Sequence, residues 1–371
     1  MTNLSAIVRQ RAQQENGIPF VEFMQLALYH PEFGYYSAGM QKFGRHGDFT
    51  TAPELTPLFG QTIANQCQQL LPSLSNPILF EFGAGSGRLC VDILTHLERL
   101  NALPTAYHIL DVSSNLRHRQ MALVQEEIPH LADRIKWLDQ WPKEAFNGII
   151  IANEVLDAMP VHRFLQTKDG LSESYITLNT KGELAEVFRL CTNALLSTYV
   201  QDALPPDLYP YQSEANLFIN GWIAECYNML HEGAMILIDY GFPRHEFYHP
   251  DRNQGTLMCH HRHLAHSNPL LHLGEQDITA HVDFTQVAEA ADAVGFQVSG
   301  YTNQAAFLLA NGLLSLLDNI SDNVARTKAS QAVKQLIQPN EMGELFKVIA
   351  LTKNLDLDLA GFQLHDKRVS L

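Results

Sequence analysis

Residues Glu81-Phe82-Gly83-Ala84-Gly85-Ser86-Gly87 follow directly on the apolar run Ile78–Phe80. Glycine is needed where a chain turns sharply from strand to helix and lets a ligand touch its backbone. The spacing discriminates between ligands. A dinucleotide fingerprint reads GxGxxG and aims a helix N-terminus at a pyrophosphate. Here the third glycine comes one residue early, giving ExGxGxG, which disfavours a nicotinamide dinucleotide. A glycine turn with no ligand is the bland reading of the same residues.

Two further groups of polar residues close apolar runs. Asp111 ends Tyr107–Leu110, where a carboxylate can accept two hydrogen bonds from ribose hydroxyls. It stands 28 residues beyond Gly83, so the intervening segment must be extended relative to the ~20 residues of a dinucleotide unit. Asp111 is equally suited to cap a helix begun by Ser113 or Ser114. The run Gly148–Ala152 ends in Asn153-Glu154-Val155-Leu156-Asp157-Ala158-Met159-Pro160. Glu154 and Asp157 are three apart and face the same way on a helical turn. Two such carboxylates can grip a guanidinium, which offers forked donors and keeps its proton in water. They are also what a helix N-terminus collects for its dipole. The loop Phe43 to Glu54 sets Asp48, Thr50 and Thr51 after the glycine turns Gly44 and Gly47, and reads as a lid or a capped turn. Cys259, His260, His261, His263 and His266 resemble a metal site in composition alone, without paired ligands at zinc spacing, so no metal is expected.

These residues need a scaffold. Short apolar runs at Ile78–Phe82, Tyr107–Leu110, Gly148–Ala152 and Met235–Ile238 alternate with helical periodicity such as Leu89, Ile93, Leu97 and Leu100. That alternation predicts an α/β doubly wound sheet, with a last strand over Leu345–Leu351. The opening third reads as helical. Leu4, Ile7 and Val8 suggest a first buried face; Phe20, Phe23, Met24, Ala27 and Leu28 mark a second, and Phe59, Ile63, Cys67 and Leu70 a third. One decorated domain is expected: helices and a lid loop in 1–76, the first half of the sheet in 77–165, a polar insertion in 166–215, and the rest in 216–371.

The 371 residues are 46 % hydrophobic and 18 % charged, ordinary for a globular protein. A net charge of −15 repels phosphate backbones and anionic membranes, so nucleic acid is not an expected partner. No apolar run reaches the ~18 residues of a membrane span. Five scattered cysteines without a CxxC pair read as reduced thiols, and no secretory signal is visible, so a cytoplasmic protein is expected. Oligomeric state is left open.

Taken in order, the motifs resemble the MidA-like S-adenosylmethionine-dependent methyltransferases, a family that includes the mitochondrial complex I assembly factor. The resemblance runs through Gly47-Asp48-Phe49-Thr50-Thr51-Ala52-Pro53-Glu54, the glycine motif, Asn153 to Pro160 and Asp239-Tyr240-Gly241. It continues in Asp277-Ile278-Thr279-Ala280-His281-Val282-Asp283-Phe284 and Phe346-Lys347-Val348. It departs at Asp111, where the family often carries glutamate, and at Thr56, where it more often carries serine. The resemblance implies a class I methyltransferase sheet and S-adenosyl-L-methionine as cofactor. It implies cofactor contacts from Gly47, Asp48, Thr50, Thr51, Glu81, Gly83, Ala84, Gly85, Gly87, Asp111 and Asn153, with Glu81 near the ammonium end. It also implies a protein arginine as acceptor, with a complex I core subunit as one candidate, and Glu154, Asp157 and Asn153 as catalytic residues. His281, Asp283 and Tyr240 are second-tier candidates. A small-molecule methyltransferase, or a cofactor-binding assembly factor with little turnover, are the alternatives.

Overall fold

The computed structural model describes residues 3–37 and 51–371. Seven strands build the central sheet: β1 (Ile78–Phe82), β2 (Ala106–Leu110), β3 (Ile135–Leu138), β4 (Phe146–Asn153), β5 (Leu230–Phe242), β6 (Gln297–Asn303) and β7 (Phe346–Lys353). Their order is β6-β7-β5-β4-β1-β2-β3, and Val282–Asp283 pairs with the far end of β5. Strands β1 to β5 are parallel, whereas β7 runs antiparallel to both β5 and β6. The chain reverses its direction of travel across the sheet between β1 and β4. Open α/β sheets bind ligands at the carboxyl ends of strands beside such a switch point.

The strands read as continuous apolar runs because both faces are covered. Successive residues enter different cores. Leu79, Ile149, Ile151, Ile236 and Val348 pack on one face against α3 (Pro57–Leu70) and α4 (Arg88–Arg99). Phe80, Ile150, Met235, Leu237 and Ile349 pack on the other against Ile223 and Phe284, from the helices Ile219–Met229 and Phe284–Val294. The predicted α3 stripe of Phe59, Ile63, Cys67 and Leu70 is fully buried. Thr56 caps that helix, its hydroxyl accepting from Leu58 N at 3.3 Å with Pro57 behind it. The last strand begins at Phe346, Leu345 closing the short helical turn before it.

The polar segment 166–215 is not an irregular excursion. With His162–Thr167 it makes most of a five-stranded antiparallel sheet, containing Gly170–Leu178, Leu184–Leu190, Tyr211–Ala215 and the distant Ile18–Pro19. Its strands are largely half-exposed, which explains their polar composition. A third sheet joins Met258–His261, Leu264–His266 and Asp277–Thr279. It packs with α1 (Asn3–Gln14) and α2 (Phe20–Tyr29) around Leu4, Val8, Phe20, Phe23, Met24, Cys259 and Ile278. Ile7 is only half-buried in α1. His260, His261 and His266 fall on this sheet and His263 in the turn between two of its strands, and His261 stacks on His272 with ring centroids 4.1 Å apart. Among the described residues no group of three or more His, Cys, Asp or Glu is placed to hold a metal ion, and no helix is long and apolar enough to cross a membrane.

Candidate active site

The turn after β1 is shaped by three glycines with positive φ: Gly83 (60°), Gly85 (53°) and Gly87 (88°). A side chain in that region is strained for L-residues. Gly87 N-caps α4 in the left-handed conformation, and a Cβ there would lie 3.1 Å from Gln120 Cα. A Cβ on Gly83 would meet Val155 Cγ2 at 3.2 Å. The glycines therefore let the turn lie between the residues after β4 and the helix α5 (Ser114–Glu127).

This turn opens on a cavity of about 400 Å³, at the lower end of the range for small-molecule sites. Glu81, Gly83, Ala84, Gly85, Asp111, Asn153, Glu154, Asp157 and Thr51 all line it. Gly87 does not line it and instead sets the start of α4. Gly47, Asp48 and Thr50 lie outside the described residues. Asp111 is not the cap of α5; Ser113 is, accepting from Leu116 N. Asp111 accepts from Ser113 N at 2.9 Å and from Gln120 Nε2 at 2.9 Å. The same Gln120 nitrogen reaches Gly85 O at 3.0 Å, and Trp137 Nε1 donates to Gln120 Oε1 at 2.9 Å. One buried amide thus ties the glycine turn to the acid after β2.

Glu154 carries a φ of 53°, unusual for a residue with a Cβ, and its N–H donates to Ile238 O at 2.9 Å. The left-handed step swings the next three amides toward Asp239. Val155, Leu156 and Asp157 N–H all donate to Asp239 Oδ2, at 3.2, 2.9 and 3.3 Å. Tyr240 N donates to Asp239 Oδ1 at 2.9 Å. Asn153 Nδ2 donates to Glu154 Oε1 at 3.0 Å. Two oxygens of lining residues, Asn153 Oδ1 and Asp157 Oδ1, are buried without a hydrogen-bond partner.

The electrostatics are one-sided. Among the described lining residues are the acids Glu54, Glu81, Asp111, Glu154, Asp157 and Asp277, against one base, Arg88. Arg88 is already engaged by Asp92 at 2.7 Å and Glu127 at 2.5 Å. Burial, then the charge of Asp157, pushes the Glu154 carboxyl up to about 8, opposed by the Asn153 amide and the Ala52 backbone. Burial pushes Asp157 up to about 6, opposed by a hydrogen bond from the Tyr240 phenol. Burial and the charges of Asp157 and Glu154 also raise Asp239, whose amide donors pull the other way. Glu81 is pushed up to about 8 by burial, although Tyr107 Oη donates to it at 2.8 Å. A site that raises several carboxyls at once is poised to take up positive charge.

The donor set fits a cationic nucleoside. Gly83 and Gly85 leave room for close backbone approach, Asp111 can receive a ribose diol, and Leu110, Val112 and Trp141 offer apolar surface for a purine. The carboxylates Glu81, Glu154 and Asp157 suit an ammonium and a sulfonium. Residues not named as site candidates complete the wall: Gln25, Tyr29, Tyr36, Trp222 and Asp277, the last from the Asp277–Phe284 block of the resemblance. Gln120 had a sequence signal, a polar residue in the buried stripe Leu116, Gln120 and Val124. His281 and Asp283 do not line this cavity. They line a separate small one, with Asp283 capping the helix Phe284–Val294 and pairing with Arg244 at 3.0 Å. Tyr240 is likewise no lining residue; its ring packs on His281 and Phe346 at 5.2 and 5.4 Å.

Comparison with known proteins bears on this arrangement. Residues 60–302 match the family described as "Putative S-adenosyl-L-methionine-dependent methyltransferase". The chain is 28 % identical to the Xenopus laevis protein arginine methyltransferase NDUFAF7, mitochondrial, over 89 % of its own length and 80 % of that protein. The human counterpart of that name is 26 % identical, covering 93 % and 82 %. A Burkholderia thailandensis "likely methyl transferase", solved bound to S-adenosyl-homocysteine, superposes with a TM-score of 0.95 and is 41 % identical, covering 99 % of this chain and 96 % of that one.

Proposed function

The chain belongs to the S-adenosyl-L-methionine-dependent methyltransferase family matched over residues 60–302, and from that premise we propose that it methylates a guanidinium nitrogen of a protein arginine. The observation that carries this reading is the excess of carboxylates among the described lining residues over their one arginine, which is already paired. Such a site favours a cationic acceptor, and a guanidinium offers the forked donors that paired carboxylates receive. The names of the Xenopus and human relatives agree with it.

Gly83, Ala84, Gly85, Asp111 and Glu81 are assigned to holding the cofactor. When bound, S-adenosylmethionine supplies an electrophilic methyl group on a sulfonium. The protein's own part is alignment and proton management. Asn153 orients Glu154 through its amide, and Glu154 with Asp157 holds the guanidinium so that one nitrogen faces the cavity. As that nitrogen gains a carbon it must lose a proton, and Glu154 receives it. A carboxyl already raised to about 8 holds a proton readily at neutral pH, the property an acceptor of this kind requires.

The test is incubation with methyl-labelled S-adenosylmethionine and a lysate from a strain lacking the gene, followed by hydrolysis and fractionation. Label in methylated arginine is the expected result. Mass spectrometry of the labelled band then names the acceptor, for which a complex I core subunit is one candidate. Label confined to small molecules overturns the reading in favour of a metabolite methyltransferase.

A further inference from the structure

The acceptor end of the cavity has a wall that the glycine and Glu154 motifs do not supply. It comes from α2 and the turn after it, together with the third sheet. Tyr36 Oη lies 3.0 and 3.1 Å from the two oxygens of Asp277, a residue only 1 % exposed. Ile278 N donates to Asp277 Oδ1 at 3.0 Å, fixing the carboxylate from its own backbone. The rings of Tyr29 and Tyr36 stack with centroids 5.4 Å apart and an interplanar angle of 25°. Tyr29 Oη donates to Ala158 O at 2.8 Å, and Ala280 N donates to Asp157 O at 3.0 Å. Those two bonds lock the wall onto the turn that carries Glu154 and Asp157. Tyr29, Tyr36 and Asp277 all line the same cavity as the two acids.

Resting on the arginine reading, we propose that Asp277, held by Tyr36, and the aromatic faces of Tyr29 and Tyr36 form the subsite that receives and orients the acceptor guanidinium across from Glu154 and Asp157. A planar cation is suited to such a place. Aromatic faces attract guanidinium through the ring quadrupole, and a buried carboxylate attracts it strongly where water is excluded. Burial and the charge of Asp277 also hold both phenols protonated, so the Tyr36 hydroxyl stays a donor to Asp277. Part of the cationic selectivity then resides in elements outside the seven-stranded sheet.

The test uses the full chain saturated with S-adenosyl-homocysteine and two probes, Nα-acetylarginine amide and its neutral isostere Nα-acetylcitrulline amide, titrated by calorimetry or NMR. The wild type is expected to prefer the arginine probe. Asp277→Asn keeps the shape and removes the charge, and is expected to weaken the arginine probe about ten-fold while leaving the citrulline probe unchanged. Tyr36→Phe keeps the ring and removes the hydroxyl that donates to Asp277, and is expected to reduce the same preference by a smaller factor. S-adenosyl-homocysteine affinity and the unfolding midpoint of Tyr36→Phe report whether the fold is intact. An arginine preference that survives in both variants overturns this assignment alone. Absence of any arginine preference in the wild type overturns it together with the arginine reading.

Discussion

Glu154→Gln removes one titratable proton from the site while keeping the side chain's volume and its bond from Asn153. Loss of a positioned proton acceptor typically lowers the rate by about 10²–10⁴-fold. With the carboxyl raised to about 8, a tenfold excess of protonated over ionised Glu154 is expected at pH 7 in the free protein. The wild-type rate at low acceptor concentration should therefore rise about tenfold per pH unit up to about 8 and then level, and the variant should lack this limb. Stability offers an independent reading. The folded value, about 8, lies above the ordinary 4.5, so between them the native state holds more protons than the unfolded chain. The penalty is absent below 4.5, where both states are protonated, and complete above about 8, where both are ionised. Stability thus falls as pH rises through that window, by at most about 1.4 kcal/mol per unit for this group. Glu81, raised to about the same value, adds a parallel slope in both proteins, so the difference between variant and wild type reports Glu154 together with the share of the Asp239 shift that its charge causes. Denaturant titrations at pH 6 and pH 8.5 should show Glu154→Gln gaining on the wild type by a few kcal/mol as pH rises. Wild-type turnover by the variant, with S-adenosyl-homocysteine affinity intact, would remove Glu154 from the proton path. A stability difference that does not change with pH would show that its carboxyl is not raised.

Gly85→Val places a β-branched side chain at a φ of 53° in the turn lining the cavity, and calorimetry should find S-adenosyl-homocysteine binding abolished or weakened at least about a hundred-fold. Gln120→Leu cuts the amide linking Asp111 to Gly85 O; cofactor affinity should drop about ten-fold, with Trp137 fluorescence reporting its lost partner. Asp239→Ala leaves the amides of Val155, Leu156 and Asp157 without their acceptor and should cost about 3 kcal/mol in denaturant unfolding. Gly148→Ala would bring a Cβ within 1.9 Å of Ile78 O between β4 and β1, so the chain should fail to accumulate in soluble form.

The buried strands and the glycine turn were legible in the sequence because the information is local. Ile78–Phe82 announces itself by a mostly apolar run, and the cavity-lining turn by glycines at positions where only they adopt positive φ without strain. Glu154 and Asp157 were legible for the same reason, since three residues of chain hold them together. The spacing did not reveal that Glu154 adopts a left-handed conformation, or that Asp239, 82 residues beyond Asp157, collects the amides of that turn. Gln120 was one polar residue in an apolar stripe until the helix set it against Gly85 and Asp111. The antiparallel sheet around 162–215 looked like polar chain because half-exposed strands lack the apolar runs of the central sheet, and one of its strands comes from residues 18–19. Tyr36 and Asp277 stand 241 residues apart, a juxtaposition that no local pattern records. The sequence alone determined which residue types line the cavity after β1 and β4, because strand ends and glycine turns place them through short stretches of backbone. Only the tertiary structure decided which carboxylates share one low-dielectric cavity and are raised by it, because burial and Coulomb repulsion depend on distance through space and not on distance along the chain.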